Sequence, residues 1–395
     1  MIRILSLLLA ASWFATSAWA VSETYGYPFD DAFVATVVGT PEAYRAELPE
    51  KIPMKMASLT VFEDRVVPDY LWYEEDLRYS YALQKKAAPL VFLIAGTGGS
   101  HTGGKNKNMA RAFYQAGFHV ICLPSPTHMN FITTASATSL PGNIIADAAD
   151  LYRVMTMAWE QVKDRIKVSE FYLTGYSLGA SEAAFVAKLD EEKRTFNFKK
   201  VLMINPAVSL YSSAKILDQM LLAALPGGLK DFNAWLDRIL GRFAEFFKET
   251  GSVDLGHDFL YDVYKTMYKT QSPKRENLAT MIGTAFRISS NNMLFTSDVM
   301  TNAGLIVPKN LVLGSADSLY EYFRVASYTT FVDYFDYLLF PYYKAKYPEL
   351  SQERAIEIDS LHYIEAYLRN SPKIGLMGNE DELILTSEDL AFLKD

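Results

Sequence analysis

Between Glu170 and Lys188 the chain reads EFYLTGYSLGASEAAFVAK. Glu170–Thr174 is a short β-prone run, and Gly179–Leu189 is rich in Ala and reads as a helix, so a serine stands at a strand-to-helix turn. Gly175, Tyr176, Ser177, Leu178 and Gly179 spell G-x-S-x-G across that turn. The spacing suits a strained reversal: small residues on either side let the chain fold back without collision. Ser177 would then project at a helix amino terminus, where backbone N–H groups and the helix dipole favour developing negative charge.

Working outward, Met56–Phe62 and Leu77–Leu83 read as early strands, and PLVFLIA (Pro89–Ala95) as a buried strand running into glycines. Asn106–Ala116 reads as a helix ended by Gly117, Phe118–Leu123 as a strand, Asn143–Val162 as a helix and Lys200–Ile204 as a strand. Strands separated by helices imply a parallel sheet covered on both faces. From Ser209 to Asn370 helical periodicity takes over: Leu217, Met220, Leu221, Ala224 and Leu225 share one face, and Phe232, Trp235, Leu236, Ile239, Phe243 and Phe246 share another. PKIGLM (Pro372–Met377) returns to a strand. The expected fold class is α/β, with a mostly parallel sheet, helices on both faces and a large helical insertion. The divisions are 1–20 as an address, 21–208 as the first part of the core, 209–370 as a cap and 371–395 as the rest of the core. The aromatic and aliphatic residues of the cap serve either as its own core or as an apolar wall for a hydrophobic substrate.

The strand, G-x-S-x-G turn and helix resemble the α/β-hydrolase superfamily over Pro89–Val208 and Pro372–Asp395. The resemblance implies that Ser177 is a nucleophile and that Gly96, Thr97, Gly98 and Gly99 form the loop supplying part of an oxyanion hole. Its donors would be the backbone N–H groups of Thr97 and Leu178. It also implies an acid just after the late strand, where Asp381 in PKIGLMGNEDELIL fits, with Glu380 and Glu382 as neighbours able to substitute. The acid would orient a histidine and stabilise the imidazolium formed during acyl transfer.

The chain departs from the family in one respect: serine, acid, histidine is the expected order, yet no histidine follows Asp381. The five histidines, His101, His119, His128, His257 and His362, all precede it. The pattern is that of a chain stopping before a final strand and its histidine loop, or of a degenerate member that binds without turnover. An unassisted serine hydroxyl is a weak nucleophile at neutral pH.

Composition narrows the partners. The 38 Lys and Arg against 46 Asp and Glu give the 395-residue chain a net charge of −8, which repels a nucleic-acid backbone. A single cysteine, Cys122, excludes internal disulfides and cysteine-based metal frameworks, and no histidine–carboxylate spacing suggests a metal site. Gly99–Asn106 (GSHTGGKN) approaches a phosphate-binding loop, but Asn106 replaces the Ser or Thr that would hold Mg²⁺. The dinucleotide fingerprint fails where His101 replaces its third glycine. No cofactor is therefore expected. Met1–Ala20 combines Arg3, an apolar run and Ala18-Trp19-Ala20, the layout of a cleaved export signal, so a periplasmic or secreted protein is expected. The helix carrying Phe232, Trp235 and Phe243 offers weak contact with a membrane surface, since its charges are mixed. Oligomeric state is left open. Function comes down to two classes: a serine hydrolase of lipid-like acyl esters or thioesters, or an exported binding protein sheltering a hydrophobic ligand.

Overall fold

The computed structural model describes residues 26–235, 237–238 and 274–394. The address Met1–Ala20, Leu236, Ile239, Phe243, Phe246 and His257 lie outside the described residues.

Seven strands form one sheet: β1 (Lys55–Leu59), β2 (Leu77–Ala82), β3 (Ala88–Ile94), β4 (His119–Leu123), β5 (Val168–Tyr176), β6 (Lys200–Ile204) and β7 (Ile374–Met377), in the order β1-β2-β4-β3-β5-β6-β7. From β4 to β7 all pairs are parallel, whereas β1–β2 and β2–β4 are antiparallel. The sheet is thus mixed rather than purely parallel. Between β1 and β2 the chain contains only a short 3₁₀ turn at Asp69–Leu71, too little for the crossover that a parallel pair requires.

The PLVFLIA run works as a strand buried on both faces. With α1 at Ala32–Val38 and α3 at Met129–Thr134, Leu90, Phe92 and Ile94 join the core beneath α4 (Ile144–Val162) and α5 (Leu178–Lys193), while Val91 and Leu93 pack with Ala110 of α2 (Gly104–Gln115) and with Val120 and Cys122. Period-two alternation sends successive side chains to opposite sides, and each fully buried Leu or Phe contributes about 1.5–3 kcal/mol. Phe92 also meets Phe196 edge to face at 5.0 Å.

β4 and β5 flank β3 on opposite sides, so the connections diverge there. In an open α/β sheet the crevice at the carboxyl ends of such diverging strands is where ligands bind. The segments leaving β3 and β5 carry Thr97 and Ser177 to that edge.

Between β6 and β7 the described residues are helical, from α6 (Leu210–Leu222) through α7 (Arg275–Thr301), α8 (Tyr320–Tyr328), α9 (Phe331–Tyr334), α10 (Phe340–Lys346) and α11 (Gln352–Ile358) to α12 (Glu365–Asn370). Leu217, Met220 and Leu221 are buried as their spacing expects. Phe232 and Trp235 are 1% and 7% exposed and pack with Leu221 and Leu225, which corrects the expectation of a membrane-facing surface for these two rings. No helix of the described residues is long and apolar enough to cross a membrane.

Candidate active site

Ser177 is the N-cap of α5, with φ +56° and ψ −125°. A non-glycine residue there carries backbone strain, which persists only when its surroundings hold it. Its N–H donates to Ile204 O at 2.9 Å, and its carbonyl accepts from Ala180 N at 2.9 Å. The flanking glycines permit the reversal: a Cβ on Gly175 would lie 2.0 Å from Gly179 O, and one on Gly179 would lie 2.5 Å from Ala95 O. A side chain at either position would collide with backbone.

The glycine loop after β3 is fixed from below. Gly98 N donates to Thr127 Oγ1 at 2.7 Å, Gly99 N to Gly96 O at 2.8 Å, and Ser125 N to Gly99 O at 2.9 Å. The Gly98 amide is therefore spent. The Thr97 and Leu178 amides have no acceptor among the described residues, and both residues line one cavity with Ser177.

That cavity has a volume of about 120 Å³. Its floor is formed by Thr97, Thr127, Ser177 and Leu178 at the strand ends, and its roof by Leu217, Phe286, Met293, Phe331, Phe335 and Leu339 from the helices. The wall is almost entirely apolar, so the helical residues face the crevice besides packing among themselves.

Among the described residues, Ser177 Oγ has no hydrogen-bond partner, and no histidine lines its cavity. His119 is held inside the sheet: its Nδ1 accepts from Gln84 N at 3.0 Å and its Nε2 lies 3.3 Å from Lys167 O. His101 lines a separate, more open groove with Trp72, Tyr73 and Arg78. Burial, with smaller contributions from nearby positive charge, holds both His101 and His128 down to about 4, so both are neutral at physiological pH. His362 Nε2 lies 3.6 Å from Asp389 Oδ1 and its ring sits against Phe392. Rather than lying on a regular helix, it occupies the 3₁₀ turn Leu361–Ile364.

Asp381 is exposed in the segment after β7 and makes no hydrogen bond or ion pair among the described residues. Its neighbour Glu382 turns inward, where its Oε2 accepts from Asn205 Nδ2 at the end of β6, and Ile384 reaches the cavity wall. The phosphate-loop resemblance also finds other employment. Lys105 Nζ stands 3.8 Å over the Tyr176 ring, and buried Asn106 donates to Leu123 O at 3.3 Å. Cys122 is fully buried, and burial pushes its thiol up to about 12, which fits packing and not nucleophilic attack. No group of three or more potential metal ligands occurs among the described residues.

Three buried carboxyls were not singled out in the sequence. Asp147 on α4 accepts from Gly142 N at 2.7 Å through Oδ2, but its Oδ1 has no donor. Glu182 on α5 has no donor for either oxygen. Asp359 lines the cavity itself. Burial drives all three upward: Glu182, also repelled by Asp147, and Asp147, also repelled by Asp150 and Asp359, go well above the carboxylate range, and Asp359 goes to about 7. Glu182 carried a signal, a carboxylate within the small apolar run GASEAAFVA. Asp359 carried none, because its position is set by a tertiary pairing of Leu361 N with Val208 O at 2.7 Å and of Leu210 N with Asp359 O at 3.3 Å.

No family model and no curated protein matches the chain. Among solved structures, a hyperthermophilic esterase from Pyrobaculum calidifontis aligns at 18% identity over 43% of this chain and 52% of that one, with a TM-score of 0.30. Est1E from Butyrivibrio proteoclasticus aligns at 14% identity over 41% and 56%, with a TM-score of 0.29. Esterase B from Lactobacillus rhamnosis, inhibited by a tributyrin phosphonate, aligns at 17% over 49% and 58%, with a TM-score of 0.28. The chain spans about half the length of these structures. With its strand order, its strained serine turn after β5 and its glycine loop after β3, the chain has an α/β-hydrolase-like fold.

Proposed function

We propose that the protein is a serine hydrolase that cleaves lipid-like acyl esters or thioesters through an acyl-enzyme on Ser177. One observation carries this reading: a strained serine and two unspent amides line the same apolar cavity. In the reaction, Ser177 Oγ adds to the carbonyl carbon, and the carbonyl oxygen takes the displaced electron pair as an oxyanion. The Thr97 and Leu178 amides would receive that charge, each worth about 2.7–4 kcal/mol in the transition state. Collapse breaks the bond to the leaving oxygen or sulfur, which departs with the proton given up by the serine. Water then cleaves the acyl-serine and restores the hydroxyl. The proton acceptor in this reading is a histidine supported by Asp381, with Glu382 as the neighbouring substitute; none of the described histidines lines the Ser177 cavity, so the reading draws that histidine from outside the described residues.

Hydrolysis of a panel of 4-methylumbelliferyl esters tests the proposal. The wild-type chain should turn over apolar acyl esters and Ser177→Ala should fall to the uncatalysed rate; equal rates for the two proteins would sink it. The absence of a partner for Ser177 Oγ among the described residues supports the second reading, a binding protein for a hydrophobic ligand. That reading expects Ser177→Ala to bind an unreactive acyl amide as tightly as the wild type. We further propose that the chain is exported with cleavage after Ala20, so amino-terminal sequencing of secreted material should begin at Val21; an intact Met1 would count against it.

A further inference from the structure

Asp359 is the sole carboxyl among the described residues lining the Ser177 cavity. It is 3% exposed, and its side chain has two hydrogen-bonding partners among the described residues. Ile144 N donates to Oδ1 at 3.1 Å, and the Tyr343 hydroxyl lies 2.7 Å from Oδ1 and 2.8 Å from Oδ2. A phenol carries a single proton, so the protein supplies two hydrogens to the ionised form of a group that then has about four acceptor sites. Oδ2 shares its only donor with Oδ1. A polar atom left short of partners inside an apolar cavity is costly unless a ligand completes it.

We infer that Asp359 is a specificity-determining residue that receives a hydroxyl carried on the acyl chain of the substrate, so that the preferred substrates are hydroxyacyl esters. The inference rests on the proposed ester hydrolysis at Ser177, since it names the substrate class of that same cavity. A hydroxyl suits the position better than an ammonium. Apolar walls make burial of a second charge expensive, and a hydroxyl, being both donor and acceptor, pairs with Asp359 whether or not the carboxyl is protonated. Burial holds the Asp359 carboxyl up to about 7, where both forms are populated at neutral pH. A site built to bond a substrate hydroxyl penalises the analogue lacking it, because its own polar group is then left unpaired.

The test compares the full chain with Asp359→Asn and Asp359→Leu on matched umbelliferyl esters of one chain length, plain and hydroxylated at successive carbons. For one hydroxyl position the wild type should show a kcat/KM about tenfold or more above that for the plain ester. Asp359→Leu should lose that preference, the ratio of kcat/KM between the hydroxylated and the plain ester falling to about one. Should the leucine variant fail to fold, Asp359→Asn keeps acceptor capacity for Ile144 and Tyr343 and should narrow the preference while preserving the melting temperature within a few degrees. A wild type indifferent to the hydroxyl at every position, or a preference unchanged in both variants, overturns the inference. Calorimetric binding of the corresponding neutral hydroxyamides and plain amides separates this outcome from failure of the catalytic reading. Tighter hydroxyamide binding that narrows in Asp359→Asn and is lost in Asp359→Leu sustains the inference even without turnover, and equal binding of the two amides overturns it.

Discussion

Arg287 and Asp218 form an ion pair inside the helical roof of the cavity, with Arg287 1% and Asp218 8% exposed. The pair ties four helices together, α6, α7, α8 and α9. Arg287 of α7 also donates to Ser327 O at 3.1 Å, and Asp218 of α6 accepts from Phe331 N and Val332 N, at 3.3 and 3.2 Å, at the start of α9. Removing one partner strands a buried charge, which typically costs about 3–5 kcal/mol, whereas replacing both by apolar groups of similar size is often neutral. Asp218→Ala should therefore lower the urea midpoint sharply, and Asp218→Leu with Arg287→Met should recover much of the loss. A single variant as stable as the wild type would contradict this account of the roof.

The glycine at the start of α5 makes a steric prediction. Because a Cβ on Gly179 would sit 2.5 Å from both Ala95 O and Ile94 O, the helix must move away from β3 to admit it. Overpacking against backbone costs about 3 kcal/mol and displaces the Ser177 turn. Gly179→Ala should lose both stability and any Ser177-dependent activity; a variant with native melting temperature and native activity would show that the turn tolerates the methyl group.

Loop support can be separated from stability at Thr127. Its hydroxyl holds Gly98 N at 2.7 Å and lies 2.8 Å from Ser125 Oγ, so Thr127→Val keeps the shape and deletes the anchor. The adjacent Thr97 amide should then be less well aimed at the oxyanion. We expect kcat to fall about tenfold with KM nearly unchanged, a fraction of the effect of deleting a donor outright. An unchanged kcat would remove Thr97 from the oxyanion hole.

The buried carboxyls give stability a pH dependence whose sign is fixed. Glu182 has a folded-state pKa well above its unfolded value of about 4.5, so the folded chain binds the extra proton. Its contribution is fully present below about pH 4.5 and is lost as pH rises through the folded pKa, at about 1.4 kcal/mol per pH unit. Asp359 behaves alike between its unfolded value of about 3.8 and about 7. Measured by urea denaturation from pH 5 to pH 8, Glu182→Gln should gain on the wild type with each step upward. Curves that stay parallel would mean that Glu182 titrates alike in both states.

The serine turn and the order of strands and helices were legible because they rest on local signals: apolar runs, glycines and the G-x-S-x-G spacing. Lys200–Ile204 agrees in both ends, and β3 and β4 differ from the sequence reading by one residue at each shifted end. The antiparallel start was hidden, since strand direction depends on the connection and not on the strand. Asp359 was hidden for a related reason. Its stretch EIDSLH has no motif, and only the pairing with Val208 and Leu210, far away in the chain, brings it to the crevice. Asp381 shows the reverse: a family pattern points to it, yet Glu382 is the carboxylate that turns inward.

Reaction with a fluorophosphonate, read by intact mass and then by peptide mapping, tests the central proposal most directly, because phosphonylation requires an activated serine. The account expects one adduct per chain, mapped to Ser177 and absent from Ser177→Ala. A folded wild-type chain that takes up no probe, or takes it up at another residue, would contradict it.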